Sequence, residues 1–460
     1  MTTSSFIRDN ALAVKLISST VIVLMAMVFA SFFYQQFPIS RDSLELLTLI
    51  NWLLVCFLLA INLPKGIWSI CFIYFMAFSI FHGGLVFVSA LNLVTDSEIL
   101  RVIQYWYHLP ETDIAIFFIN FTMLIYALAC ILFSQRVENT HISTGIGPTK
   151  RLYHISGLML CAMILIFFLV GAATGALSSY GAYLSAMKNQ PMVSLLFVYI
   201  YLFIGLFLII VSVSYKPGFG YLYFVVFGVW AAIAFKIGLR GEVMFPAAAS
   251  AAMFSRQRIP ISTIKLGALV VLMLIATVIV KNARVSGNYS EIENINPLNA
   301  IAEMGSSIRT IQEVIKWRKQ DFPELLGASY WAPFERQLAL FLPIKRPPAM
   351  EDKRLLNVVV MEKAGPIGFS PIAEAYVNFG EKGIIIVSIV LGVLFARLDS
   401  LPSRVTTDIF IGVSIVPLFV MIRNSFTFIP VQVIIGLVIA FGILQLAKVR
   451  INQYEVNDNQ

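Results

Sequence analysis

Long apolar stretches separated by short polar turns run through almost the whole chain, and one long polar interval interrupts them. Predominantly apolar windows fall near 15–34, 45–62, 66–92, 113–134, 153–174, 193–214, 218–238, 242–255, 264–281, 383–396, 406–422 and 426–447. A helix needs about 20 residues to cross the hydrocarbon core of a bilayer, so the pattern predicts about twelve transmembrane helices. The third window is long enough to hold a tilt or bend at the pair Gly83 and Gly84, while 242–255 and 383–396 are short. In lipid every backbone polar group must be bonded internally. The expected fold is therefore an all-α polytopic membrane protein, divided into a first set of helices over 1–280, a large loop with its return to the membrane over 281–382, and a last set with a tail over 383–460.

The polar interval, 281–368, has a pattern of its own. Leu298, Ile301, Met304, Ile308, Ile311 and Ile315 recur at spacings of three and four, opposite Glu303, Arg309, Glu313 and Lys316. This predicts an amphipathic helix lying on the membrane surface. Pro343, Pro347 and Pro348 then exclude a continuing helix and hold Lys345 and Arg346 on extended backbone, a geometry suited to a clamp. Where the chain returns to the membrane, Ser370 suits an N-cap, Pro371 the first helical position and Gly380 the exit, so a short helix is expected over 371–379.

Composition sharpens the class: 59% of residues are hydrophobic and 13% charged, against about a quarter charged in soluble domains. Fourteen basic residues fall in the loops of one side and six in those of the other, leaving the large loop aside. That bias puts both termini in the cytoplasm and the loop outside. Part of the net charge of +8 is thus ordinary topology. Cys56, Cys71, Cys130 and Cys161 all lie in apolar runs, so no disulfide framework is expected. The N-terminal apolar run lacks a clean cleavage site and reads as a retained first helix.

Three groups of residues carry candidate chemistry. Gly238 to Glu242, reading GLRGE, precedes a run too short for the bilayer, which draws Arg240 and Glu242 below the surface into a cavity where arginine suits an anion; a turn ending two helices is the alternative. Arg284, Arg309, Arg336, Arg346 and Arg354 in the loop, with Arg423 in MIRNSF, can grip phosphate through paired hydrogen bonds. Salt bridges compete for Arg336 and Arg354, which sit beside Glu335 and Asp352. On the short helix, Glu374 and Asn378 share a face with Tyr376 on another side. Glu374 reads equally as a general base, or orienting carboxylate for a sugar hydroxyl, and as a stabiliser of the helix start. His82, His108, His141 and His154 all precede the loop and form no metal-ligand cluster, and there is no P-loop, GxGxxG or CxxC. No metal, cofactor or nucleic acid is expected.

About a dozen spans, one large external loop, the GLRGE turn, arginine-bearing loop helices and GFSPIAEAYVNFGEKG together resemble the Wzy-type polymerases of O-antigen and capsular polysaccharide. The resemblance is concentrated in 238–242, 282–289 and 365–383. It implies a metal-independent glycosyltransferase of the bacterial inner membrane with a GT-C-like helical architecture. Its donor and acceptor are undecaprenyl-diphosphate-linked oligosaccharides, and membrane lipids and a polysaccharide chain-length regulator are its implied partners. Arg240, Arg284 and Glu374 take the catalytic roles. Glu242, Arg309, Arg336, Lys345, Arg346, Tyr376, Asn378 and Arg423 are the candidate substrate contacts. Many members have two large external loops, whereas the Arg240 connection here is tiny. An O-antigen ligase is the nearest alternative, although such ligases look to a histidine in the large loop that this chain lacks. A flippase or transporter of lipid-linked oligosaccharide is the alternative of another class, and no inverted repeat supports it.

Overall fold

A computed structural model describes residues 11–94, 97–135, 146–237, 239–256, 296–339, 342–343 and 345–449. Among the described residues there are helices and no strand. They fall into two compact units, one built from 1–136, 297–400 and 421–431, the other from 137–296, 401–420 and 432–460. The chain opens in the first unit with α1 (Ala11–Phe33), α2 (Arg41–Asn62), α3 (Ile70–Ala90), α4 (Ser97–Ile103) and α5 (Pro110–Phe133). The second unit takes α6 (Ile146–Ala173), α7 (Tyr180–Asn189), α8 (Pro191–Ser214), α9 (Leu222–Ile237) and α10 (Arg240–Arg256). The loop helices α11 (Pro297–Gly305), α12 (Ile308–Lys319), α13 (Ala328–Leu338) and α14 (Leu356–Ala364) lead to α15 (Pro371–Asp399), and then come α16 (Val405–Val420) and α17 (Ile429–Leu446).

Nine helices among the described residues are long and apolar enough to span a membrane: α1, α2, α3, α5, α6, α8, α15, α16 with the turn that follows it, and α17 with the turn before it. The expected count was twelve. The windows 218–238 and 242–255 form α9 and α10, of 16 and 17 residues, or about 25 Å of helix, short of the ~30 Å hydrocarbon core. The window 264–281 lies outside the described residues. Helix α3 runs unbroken through Gly83 and Gly84. Gly84 instead gives room to a neighbour: a β-carbon there would sit 2.5 Å from the Ile301 carbonyl oxygen.

In the first unit α15 packs along α5, with Gly392 against Ala129 and the Tyr126 carbonyl. Side-chain hydrogen bonds tie the other spans together, as expected where lipid offers no competing partner. Asn51 donates to Asn120 at 2.8 Å, Asn120 to Thr48 at 2.8 Å, Asn62 to Ser18 at 2.8 Å and the Tyr126 hydroxyl to the Cys71 carbonyl at 3.0 Å. In the second unit α8 packs with α6, α10 and α16, and Arg256 meets Asp408 at 2.7 Å with both side chains fully buried. Ser403 donates to the same carboxylate at 2.6 Å, and Arg256 to the Leu401 carbonyl at 2.9 Å.

The amphipathic stretch from Leu298 to Ile315 differs from its expectation in two respects. It is two helices, α11 and α12, interrupted at Ser306 and Ser307, and it is packed into the first unit instead of lying on the bilayer. The reason is Gly305, which lets α11 close onto α3 until a β-carbon would overlap the Leu85 backbone nitrogen and lie 2.6 Å from the Gly84 carbonyl carbon. Polar side chains of the opposite face, Asn299, Thr310 and Gln312, are consequently buried as well. Gly305→Ala is expected to destabilise the detergent-solubilised protein by about 1–3 kcal/mol through overpacking. The check is a thermal melt beside Gly228→Ala, a helical position with nothing within 4 Å, whose midpoint should not fall.

Candidate functional site

The polar centre of the first unit forms where α15 begins. The Ser370 side chain accepts from the amides of Ile372 and Ala373, and Pro371 occupies the position whose missing N–H is harmless. Helical geometry then fails at Phe379 and Gly380, where φ is 61° at Gly380. The first eight residues of α15 are thereby a separate short helix in front of the span, over the stretch expected to be helical. A break frees carbonyl groups. Leu325 donates to the Val377 carbonyl at 3.2 Å and Leu326 to that of Asn378 at 3.0 Å, so the loop seats itself on the exposed end.

Glu374 lies on the inward face of this short helix and is only 1% exposed. One carboxylate oxygen accepts from the Ser329 hydroxyl at 2.7 Å and the other from the Phe426 amide at 2.7 Å. Asn378, one turn on, donates to Ser329 at 2.7 Å and accepts from the Gly327 amide at 2.9 Å. Glu374 and Asn378 thus share a face as expected, and that face is turned to α13 and to the 421–431 connection. Tyr376 points elsewhere, half-buried, its ring 5.0 Å from that of Phe118 on α5. Tyr330 is drawn into the same centre. Its hydroxyl is buried without a hydrogen-bond partner, and burial together with the Glu374 carboxylate raises its pKa well above the usual tyrosine value.

A histidine joins the start of α15, and sequence spacing had offered no sign of it. His82 of α3 is completely buried, with Nε2 2.8 Å from the Ser370 hydroxyl and Nδ1 3.1 Å from the Phe78 carbonyl. A carbonyl can only accept, so Nδ1 carries the proton, and Nε2 accepts from a serine oxygen already taken by two amides. Beside it, Gly368 adopts φ of 77°, and a β-carbon there would sit 2.8 Å from the Arg423 carbonyl oxygen. The Phe369 amide donates to that oxygen at 3.0 Å. Arg423 is therefore held by its backbone while its side chain is exposed, with no acidic partner at ion-pair distance among the described residues.

The other arginines divide into paired and unpaired. Arg354 spans Glu335 at 2.6 Å and Asp352 at 2.9 Å, and Arg336 meets Asp352 at 3.1 Å. Arg346 donates to the Arg336 carbonyl on the extended stretch, where Lys345 is exposed. Arg336 and Arg346 thus brace the loop itself. Arg309 is different: it is half-buried, and among the described residues its Nε has no hydrogen-bond partner and its side chain no ion pair. Gln312, three residues on, is buried with its side-chain oxygen also unpaired. In the second unit Arg240 is the first residue of α10, and Glu242 in the same turn is half-buried and engaged. The Arg240 side chain and the whole of Arg284 lie outside the described residues.

The loop brace is electrostatic. Hydrogen bonds from Arg354 hold Glu335 below the usual carboxylate range. For Asp352 burial pulls the pKa upward, but the hydrogen bonds from Arg354 together with the charges of Arg354 and Arg336 outweigh it and the net shift is downward. Folded pKa values below the unfolded ones mean that this stabilisation is present above about pH 4 and is lost as pH falls through the folded values. Limited proteolysis across 335–354 should therefore accelerate on acidification below about pH 4. Arg354→Ala should produce the same loosening at neutral pH, with a loss on the order of 2 kcal/mol.

A family model described as O-antigen polysaccharide polymerase Wzy matches residues 16–453. Protein CapE of Staphylococcus aureus is 24% identical over 341 residues, which cover 70% of this chain and 75% of that protein. No solved structure matches. The family match takes in every helix described above except the first turn of α1, and the polar centre at Ser370, Glu374 and Arg423 falls within it. The chain belongs to the Wzy family of O-antigen polysaccharide polymerases.

Proposed function

We propose that the protein joins lipid-linked oligosaccharide repeat units into O-antigen or capsular polysaccharide at the periplasmic face of the bacterial inner membrane. The family match over 16–453 carries this reading. The growing glycan leaves undecaprenyl diphosphate as the bond from its anomeric carbon to the phosphate oxygen breaks. A hydroxyl at the non-reducing end of the incoming repeat unit forms the new glycosidic bond and gives up its proton to water. Charge collects on the departing diphosphate, and guanidinium groups stabilise it most where water is excluded. Both termini in the cytoplasm, the loop outside and a GT-C-like helical arrangement belong to the same proposal.

Arg240 and Arg284 take the leaving-group role, with Glu242 beside Arg240. Arg309 and Arg423 contact the substrate's anionic part, and two observations support that assignment: neither is paired with a carboxylate among the described residues, and Arg423 is fixed through Gly368. Glu374 is assigned as a positioning residue, in place of the general base or the helix-start stabiliser read from the sequence, because its two oxygens accept hydrogen bonds from two other segments, at Ser329 and Phe426. Asn378 acts with it, and Tyr376 lines the opposite side of the short helix. Arg336 supports the loop.

Arg240→Ala and Arg284→Ala should each cut chain extension by about 100-fold or more at unchanged protein level. A gel of surface glycan from variant strains would then collapse from a ladder to a single repeat, and full ladders from both would remove them from the site. Glu374→Gln keeps a carbonyl oxygen for the Phe426 amide. It should lower thermal stability while leaving the pH profile of turnover by purified enzyme unchanged, whereas loss of the acidic limb in a folded variant would restore the general-base role.

A further inference from the structure

The segment from Leu326 to Met350 presents two unlike faces. Inward, Ser329, Ala332 and Pro333 of α13 are buried, and Ser329 bonds Glu374. Outward, Leu326, Trp331, Phe334, Leu338 and Leu342 are 74, 59, 39, 43 and 51% exposed. Trp331, Phe334 and Leu338 follow one another at spacings of three and four, so they form one stripe of the helix. The Trp331 and Phe334 rings lie 5.9 Å apart. Leu326 holds its exposed side chain from a backbone at φ of 47°, a conformation that side chains disfavour, fixed there by its amide bond to the Asn378 carbonyl. A contiguous apolar patch of this kind marks a surface that something covers.

Position and charge identify the cover. The inward side of α13 rests on the break at Phe379 and Gly380, where the spanning part of α15 begins, with the Tyr330 ring 6.5 Å from that of Phe379. It also rests on the turn before α17, with the Tyr330 ring 5.5 Å from that of Phe426. Apolar residues that follow each junction are open in the same way: Ile385 and Ile386 on α15, and Phe428 before α17. The stripe is thus carried by a helix seated at the starts of two spans, each of which has open apolar residues there. Beside it Lys345, Arg346 and Lys353 are exposed, opposed by exposed Glu351, while Glu335 and Asp352 are already paired with Arg354 and Arg336. An apolar stripe with a basic flank suits the boundary between acyl chains and anionic headgroups.

We propose that α13 is an in-plane anchor: Trp331, Phe334 and Leu338 insert among the upper acyl chains of the leaflet bordering the loop, and Lys345 and Arg346 meet lipid phosphates. Lipid contact on one face then fixes the helix whose other face holds Glu374. This anchor requires no glycan and stands independently of the polymerisation reading. A glycan strand stacking on Trp331 is the competing occupant, and the test separates the two.

The full-length protein is placed in nanodiscs of phosphatidylethanolamine and phosphatidylglycerol containing lipid spin-labelled at either a shallow or a central acyl carbon. Subtracting the fluorescence of Trp331→Phe isolates Trp331 among the six tryptophans. The expected result is about twofold stronger quenching by the shallow label than by the central one, with little quenching by aqueous iodide. Substituting Lys345→Glu and Arg346→Glu together should weaken the shallow quenching. Quenching by iodide and by neither lipid label would overturn the proposal. Iodide quenching that disappears only on adding a soluble repeat-unit oligosaccharide would overturn it in favour of a glycan platform. Should Trp331→Phe fail to assemble, a nitrobenzoxadiazole label on Phe334→Cys, corrected with labelled wild type, gives the same depth reading.

Discussion

Taking a carboxylate out of water costs several kcal/mol unless donors meet its oxygens, and the two donors that meet Glu374 come from 45 and 52 residues away in the chain. Satisfying that one group requires α13, the 421–431 connection and the head of α15 to be in place together. The secondary contacts follow the same logic. Asn378 completes the Ser329 hydroxyl, Gly327 completes Asn378, and the amides of Leu325 and Leu326 take the carbonyls released where the helix breaks. A helix that breaks in front of its span leaves bonds to be made, and the loop is located by making them.

Arginine has two uses in this architecture. Where carboxylates are near, as at Glu335 and Asp352, guanidinium groups cross-link the loop. Where none lies within ion-pair distance among the described residues, as at Arg309 and Arg423, the guanidinium takes no part in that cross-linking. Arg423 illustrates how such a group is held without a partner: Gly368 removes the β-carbon that would collide with its carbonyl, and the Phe369 amide fastens that carbonyl. The backbone fixes the residue without an ion pair to its guanidinium among the described residues.

Much of the fold was legible along the chain, because a bilayer imposes a local rule. Each spanning helix must bond its own backbone and be apolar over about 20 residues, and this is visible in any single window, as with α5 and α8. The short helix before the last spans was equally legible, since Ser370, Pro371 and Gly380 act on their immediate neighbours. So was the shared face of Glu374 and Asn378, which follows from helical spacing alone.

What the amino-acid sequence determined by itself, then, was the set of elements and the faces they carry; only the tertiary structure decided what each face meets. Periodicity marked α11 and α12 as amphipathic, but the absence of a side chain at Gly305 lets them close on α3, and the exposed apolar stripe belongs to α13 instead. His82 reaches Ser370 across 288 residues, and Glu374 reaches an amide of Phe426 that has no side-chain signature at all. Spacing reports on residues one or two turns apart. A buried hydrogen bond between distant segments depends on distances that only packing establishes, so the partners of Glu374 were not written in its neighbourhood.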